Sequence, residues 1–200
     1  MQKVVILDTG CCNLTSLRAA VCRLGVEPVV TSDARVAKDA TRLLVPGVGT
    51  AKAAMRALTA RGLLEVIREA TCPVLGICLG MQLLGQKSEE TGGVSMLGVI
   101  DASVRQLKTG TLPLPHMGWN RVKVTCSDPL FWGLDGGEGE YFYFVHSFAF
   151  PISIVTIAAS TYGETFSAVV RHENFWGVQF HPERSGAAGA RLLANFLERT

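Results

Sequence analysis

The sequence predicts an α/β fold, with a mostly parallel central sheet flanked by helices on both faces and an antiparallel extension. Three observations carry that expectation. The first half alternates short apolar runs with segments whose apolar residues recur at helical spacing. From Val99 onward short strands follow one another, which points to mixed or antiparallel pairing. No repeat, low-complexity tract or linker divides the 200 residues, and 48% hydrophobic content suffices for one sizeable core, so a single domain over 1–200 is expected.

Val4 to Leu7 form an uninterrupted apolar run, as in a strand buried on both faces. The helix that follows carries Leu14, Leu17, Val21 and Leu24 on one stripe, with Gly25 placed to end it. Short strands fit Pro28–Thr31 and Arg42–Val45, one helical stretch covers roughly 50–70, and Pro73–Ile77 is a further strand. Beyond these, strands are expected at 103–107, 120–124, 141–146, 153–159, 166–171 and 175–180, with His172–Asn174 as a hairpin tip. A last helix, capped by Ser185, turns Leu192, Leu193, Phe196 and Leu197 inward.

Bulk properties narrow the partners. A formal charge of +2 is too small to make nucleic acid or an anionic membrane the main partner. No apolar run approaches the roughly 20 residues that span a bilayer. The opening MQKVVILD reads as a first strand and not as a signal peptide. The six cysteines (11, 12, 22, 72, 78 and 126) lack paired spacing, which implies a reduced, cytoplasmic inventory. The same reasoning leaves vicinal Cys11 and Cys12 as free thiols. There is no C-x-x-C, and the four histidines (116, 146, 172 and 181) are isolated along the chain, so neither a metal nor a cofactor is expected.

Chemistry concentrates in PVLGICLGMQLLGQ, residues 73–86. Gly80 and Gly85 have the separation of phosphate-loop glycines, but Gln86 stands where the lysine belongs and Lys87 arrives one position late. The other reading starts from Cys78 on a strand-to-helix turn. Gly76 and Gly80 relieve crowding there, giving the G-x-C-x-G form of a nucleophile elbow. The helix start favours a thiolate, and the N–H of Leu79 is placed to stabilise an oxyanion. A buried structural cysteine fits the same stretch.

A thiol nucleophile needs a base. In GVQFHPERS, His181 and Glu183 lie two apart, so an extended segment points both to one face. The carboxylate then orients the imidazole while its other nitrogen serves the thiol. Elbow and H-x-E together imply a cysteine hydrolase or transferase. LLVPGVGTA, residues 43–51, is either a second oxyanion element or an ordinary glycine-rich turn.

With G-I-C-L-G-M-Q and F-H-P-E in one chain, the sequence resembles the class I, or triad, glutamine amidotransferases, whose fold is flavodoxin-like with a nucleophile elbow. DTGCCNLTSL (8–17), PGVGTA (46–51), LPHMGWN (114–120) and YFVHSF (143–148) further resemble the glutaminase subunits of imidazole glycerol phosphate synthases. The resemblance implies that glutamine is hydrolysed to glutamate and that ammonia passes to a cyclase subunit with a (β/α)8 barrel, in a heterodimer. That subunit makes imidazole glycerol phosphate and an aminoimidazole carboxamide ribotide. The short segment after H-P-E-R, enough for one helix, fits delivery to a separate chain.

Carried over by position, the resemblance implies Cys78 as nucleophile, His181 as general base and acid, and Glu183 as its orienting partner. Glutamine-binding positions fall on Gln82 and Glu90, one and three turns along a continuing helix. Gly47, Gly49, His146 and Ser147 complete the pocket. The Gly47–Val48 peptide corresponds to the oxyanion strand, making Val48 and Leu79 the oxyanion donors. Asn13, Met117, Trp119, Tyr143 and Arg184 correspond to positions facing the cyclase, although Asn13 is equally suited to cap a helix and the two aromatics to fill a core. Thr9 and Cys12 depart from the family's frequent tyrosine and glycine. Competing readings are another class I glutaminase subunit, such as that of anthranilate or aminodeoxychorismate synthase, and a thiol sensor or chaperone of similar architecture.

Overall fold

The computed structural model describes residues 3–10, 14–134 and 139–200. Strand β1 (Val4–Leu7) is buried throughout, because alternate side chains feed two separate cores. Val4 and Ile6 pack on one face of the sheet and Val5 and Leu7 on the other. Helix α1 (Leu14–Arg23) buries Leu17, Ala20 and Val21 against the first face. Gly25, at φ +81°, ends it as expected.

β2 (Val29–Thr31), α2 (Ala34–Lys38) and β3 (Arg42–Gly47) continue the alternation. The single helix expected over 50–70 is instead two, α3 (Ala51–Ala60) and α4 (Leu64–Arg68). Gly62 adopts φ +65° between them, a left-handed turn that a continuous helix cannot contain. Thr50 caps α3 by accepting from the Ala53 amide. Leu58, Val66 and Ile67 form the floor of the second core.

β4 (Val74–Cys78) is buried at every residue and leads without a break into α5 (Leu79–Leu83). A small four-stranded sheet is formed by β5 (Lys87–Ser88), β6 (Val94–Ser95), β7 (Ser103–Gln106) and, later in the chain, Phe148–Ala149. The chain then runs through β8 (His116–Val124), β9 (Glu140–His146), β10 (Phe148–Ala149), β11 (Thr156–Tyr162), β12 (Glu164–His172) and β13 (Phe175–Val178) to α6 (Gly186–Arg199).

Nine strands form the main sheet in the order β2-β1-β3-β4-β13-β12-β11-β8-β9. The first five are parallel, and β12, β11, β8 and β9 pair antiparallel. β13 closes the parallel block although it is the last strand in the chain. Its register sets Gly177 against Gly76 and Val178 against Ile77. The hairpin tip falls where the sequence places it, with Glu173 at φ +52°.

Several strand limits differ from those expected, and for three strand starts the reason is visible. β8 starts at His116, not 120, because it pairs with β9 from His116↔His146 onward. β12 starts at Glu164, because its hairpin with β11 runs to Tyr162↔Glu164. β11 starts at Thr156, because the Ser153 amide is held by the Thr156 hydroxyl in a local turn.

In α6 the expected Leu192, Leu193, Phe196 and Leu197 are buried. Ser185 occupies the cap position without capping. Its hydroxyl donates to the His181 carbonyl (2.6 Å) and accepts from the Tyr143 amide (3.0 Å). It thus ties the H-P-E segment to β9.

Candidate active site

The C-terminal ends of β3, β4 and β13 meet at one edge of the parallel block, the place where open α/β sheets bind ligands. Cys78 sits there at φ 54°, ψ −112°, a conformation that costs roughly 1–3 kcal/mol and survives only where packing enforces it. The two flanking glycines show what enforces it. A Cβ at Gly80 would lie 1.7 Å from the Val45 carbonyl oxygen, and one at Gly76 would lie 2.6 Å from that of Gly80. Strand, turn and helix are therefore pressed together without room for side chains. α5 spans only five residues, so the favourable field at Cys78 comes from local N–H groups and not from a long helix dipole.

Cys78 and His181 are each 6% exposed. The Nδ1 of His181 stands 2.9 Å from Oε1 of Glu183. The link is not the extended segment expected. β13 ends at Val178, and Pro182–Arg184 form a 3₁₀ turn that folds the carboxylate back onto the ring. The His181 amide donates to the Tyr143 carbonyl (2.9 Å), fixing the ring's backbone to β9. Nε2 of His181 is buried and makes no hydrogen bond of ordinary geometry among the described residues. Burial opposes charge on this ring, but the Cys78 sulfur and the Glu183 carboxylate outweigh it and push its pKa up to about 10.

Cys78 and His181 line a cavity of about 320 Å³ together with Val48, Gly49, Leu79, Gln82, Glu90, His146 and Ser147. A second cavity, about 230 Å³, lies on the other side of Val48, Val145 and His181, and is lined also by Gly47, Tyr143, Glu183 and Arg184. Gly47 lines this second cavity, while its peptide partner Val48 lines both. A Cβ at Gly47 would lie 2.7 Å from the Gly80 amide nitrogen, so this peptide backs directly onto the elbow.

Gln82 and Glu90 both reach the first cavity, but not from one helix. α5 stops at Leu83, and Glu90 arrives through β5 and the 3₁₀ turn Glu90–Gly92. Its carboxylate accepts from the Ala51 amide at the start of α3. The Gln82 nitrogen donates to the Phe148 carbonyl (2.8 Å) and to Oε1 of Gln179 (3.0 Å).

Met117 and Trp119 are 62% and 56% exposed on β8, which excludes a core role for Trp119. They stand opposite Val145 and Tyr143 of β9. Tyr143 is half-buried and meets Trp119 edge to face, 6.2 Å between centroids. Arg184 is exposed beside them at the second cavity. Asn13 and the Cys11–Cys12 pair lie outside the described residues. The cysteines at 22, 72, 78 and 126 are free.

Sequence reasoning passed over three contacts. Val145 accepts from the Cys78 thiol at 3.8 Å, and Gln179 donates to the same sulfur at 3.7 Å. Gln179 stands two residues before His181, a parity that marks a shared face in extended chain. The third is a histidine pair, His116 Nδ1 to His146 Nε2 at 2.9 Å, between residues isolated along the chain. His146 Nδ1 donates to the Phe148 carbonyl, so both rings are neutral with the proton on Nδ1. Burial lowers His116 to about 4 and His146 to about 3. Nothing in their spacing signals the pairing, which depends on strand register.

The family description "Glutamine amidotransferase class-I" matches residues 5–200. The chain belongs to the class I glutamine amidotransferase family. This amidotransferase is 57% identical over 197 residues to the imidazole glycerol phosphate synthase subunit HisH of Salmonella typhimurium, covering 98% of this chain and 100% of that protein. The Escherichia coli K12 protein of the same name matches at the same identity and coverage. Among solved structures, a GMP synthase subunit from Thermoplasma acidophilum superposes with TM-score 0.76 at 21% identity, over 98% of this chain and 92% of that one. PurLQS from Thermotoga maritima gives 0.73 at 19%, over 98% and 97%. These two likenesses concern the fold of the amidotransferase alone. Among its described residues, no helix is long and apolar enough to cross a membrane, and no cluster of three or more His, Cys, Asp or Glu is placed to hold a metal.

Proposed function

We propose that this chain is the glutaminase subunit of an imidazole glycerol phosphate synthase, acting in histidine biosynthesis as a single domain in the cytoplasm. The observation that carries the reading is that Cys78 and His181 share one cavity large enough for a small amino acid, with Glu183 bonded to the Nδ1 side of the same ring. The 57% identity to HisH proteins over their whole length supports the specific subunit.

The chemistry follows from the geometry. The raised pKa of His181 keeps the proton from the Cys78 thiol on Nε2, and the resulting thiolate attacks the side-chain amide carbon of glutamine. Glu183 holds the ring's tautomer and stabilises the imidazolium. The N–H groups of Leu79 and Val48 receive the oxyanion, placed by the elbow and by the strand end that backs onto it. His181 then gives its proton to the leaving nitrogen, which departs as ammonia and leaves a γ-glutamyl thioester. Water, deprotonated by the same histidine, releases glutamate and restores the thiol. Gln82, Glu90, Gly49 and the backbone at His146–Ser147 hold the substrate's amino-acid end.

Ammonia is used in a partner, a cyclase subunit with a (β/α)8 barrel, docked on Met117, Trp119, Tyr143 and Arg184, and the sequence resemblance adds Asn13 to that set. The second cavity is lined by Tyr143 and Arg184 as well as by His181, and suits the exit side. The test is glutamate release by this chain with and without the cyclase and its nucleotide ligand. Activity stimulated by that pair is expected, and full turnover by the isolated chain would reject the dependence on a partner. Glutaminase activity that responds only to a chorismate-using partner would reject the assignment to this synthase.

A further inference from the structure

Behind the nucleophile stands a polar side chain that the proposed mechanism does not use. Gln179 is fully buried, one residue beyond β13, with its amide donating to the Ala168 carbonyl (2.9 Å). Its side-chain nitrogen lies 3.7 Å from the Cys78 sulfur, within the range of an N–H···S hydrogen bond.

The surrounding partners decide which end of this amide faces the sulfur. The Phe148 carbonyl can only accept, so the Gln82 nitrogen, 2.8 Å away, must face it. The second hydrogen on that nitrogen then needs an acceptor, and Oε1 of Gln179 provides it at 3.0 Å. Turning Gln179 over would set two NH₂ groups against each other and a carbonyl oxygen against the sulfur. The orientation is locked by one backbone carbonyl, two residues away in the chain of bonds.

The sulfur therefore has two neighbours of opposite preference. The Val145 carbonyl, at 3.8 Å, is a partner only while the sulfur carries hydrogen. The Gln179 N–H strengthens when the sulfur is an anion. A buried anion without donors is costly, and this donor is present before substrate arrives.

We propose that Gln179 is a further catalytic residue of the glutaminase, donating its side-chain N–H to the Cys78 sulfur and favouring the thiolate that attacks the amide. The inference rests on the glutaminase reading above. Gln179 transfers no proton. The thiol hydrogen passes to His181 before the S–C bond forms, and Gln179 stabilises the thiolate until it attacks.

The test compares wild type with Gln179→Met, which keeps the volume and removes the donor, and Gln179→Glu, which keeps the shape and brings an anion. Alkylation of Cys78 by iodoacetamide, followed by mass spectrometry on the intact chain, is measured at pH 7 relative to its high-pH plateau. A fall of about tenfold is expected for Gln179→Met, corresponding to the loss of one charge-assisted hydrogen bond, and a larger fall for Gln179→Glu. In the complex with the cyclase, kcat drops while KM for glutamine moves less than about threefold, the pattern of an interaction made with the reacting atom and not with substrate. Unchanged alkylation ratios in folded variants overturn the proposal. If circular dichroism shows that neither variant folds, Gln82→Met, which frees the Gln179 amide to turn, decides the matter by the same ratio. A wild-type complex without glutaminase activity would instead overturn the functional reading, because the alkylation ratio reports on the sulfur whatever the substrate.

Discussion

Nδ1 of His181 and Oε1 of Glu183 are 2.9 Å apart in a 3₁₀ turn, leaving the opposite ring nitrogen buried beside the Cys78 sulfur. The carboxylate therefore fixes both the tautomer and the charge of the ring. Glu183→Gln preserves the shape and removes the charge. It should lower glutamine-dependent turnover by about 10²–10⁴-fold, measured as glutamate release in the complex. Retention of wild-type turnover would show that the pair is structural.

Cys78→Ser should abolish glutamine-dependent synthesis in the complex while synthesis from added ammonium persists. Equal loss of both activities would mean that the change damages assembly and not chemistry.

The elbow makes a stability prediction with an internal control. A Cβ at Gly80, in α5, meets the Val45 backbone at 1.7 Å, whereas one at Gly25 meets nothing within 4 Å although that backbone has φ +81°. Urea unfolding should show Gly80→Ala costing more than about 3 kcal/mol, against about 1 kcal/mol for Gly25→Ala from its positive φ alone. Equal costs would mean that β3 gives way easily.

Stability should peak near neutral pH. His116 and His146 are neutral in the folded chain and titrate only near 4 and 3, so below about 6.5 the unfolded chain binds the extra protons and stability falls with pH. For each ring the slope approaches about 1.4 kcal/mol per pH unit below about 6.5, and the share from His116 ends nearer pH 4, that from His146 nearer 3. His181 runs the other way. Its raised value gives stability that is complete below about 6.5 and is lost as pH climbs towards 10. Urea midpoints from pH 7.5 to 4.5 test the acid limb, and His146→Gln should flatten it.

Trp119 is exposed and meets Tyr143 edge to face. Trp119→Ala should change the stability of the isolated chain by less than about 0.5 kcal/mol, yet weaken cyclase binding about 30-fold, the effect of a typical aromatic anchor. Calorimetric titration of the two proteins measures it, and unchanged affinity would remove β8 from the interface.

Much of this was legible along the chain because it depends on near neighbours. The doubly buried run at Val4–Leu7, the stop at Gly25, the corner at Cys78 between two glycines and the inward stripe of α6 are all local statements about spacing and backbone freedom. Where local signals misled, a longer-range partner had taken over. The 50–70 stretch has continuous helical periodicity, but the left-handed turn at Gly62 redirects Leu63 into the second core. Ser185 has the right residue type for a cap, but its hydroxyl is engaged by His181 and Tyr143.

Residue order alone placed a cysteine at a corner between two glycines and a glutamate two residues after a histidine. Their meeting came from the pairing of β13 with β4 across roughly a hundred residues, a contact whose register no nearby spacing encodes. The same long-range packing joined His116 to His146 and aimed the Gln179 amide at the sulfur. Periodicity reports which face of an element is apolar. Hydrogen bonding between strands far apart in sequence selects which faces, and which reactive atoms, come together.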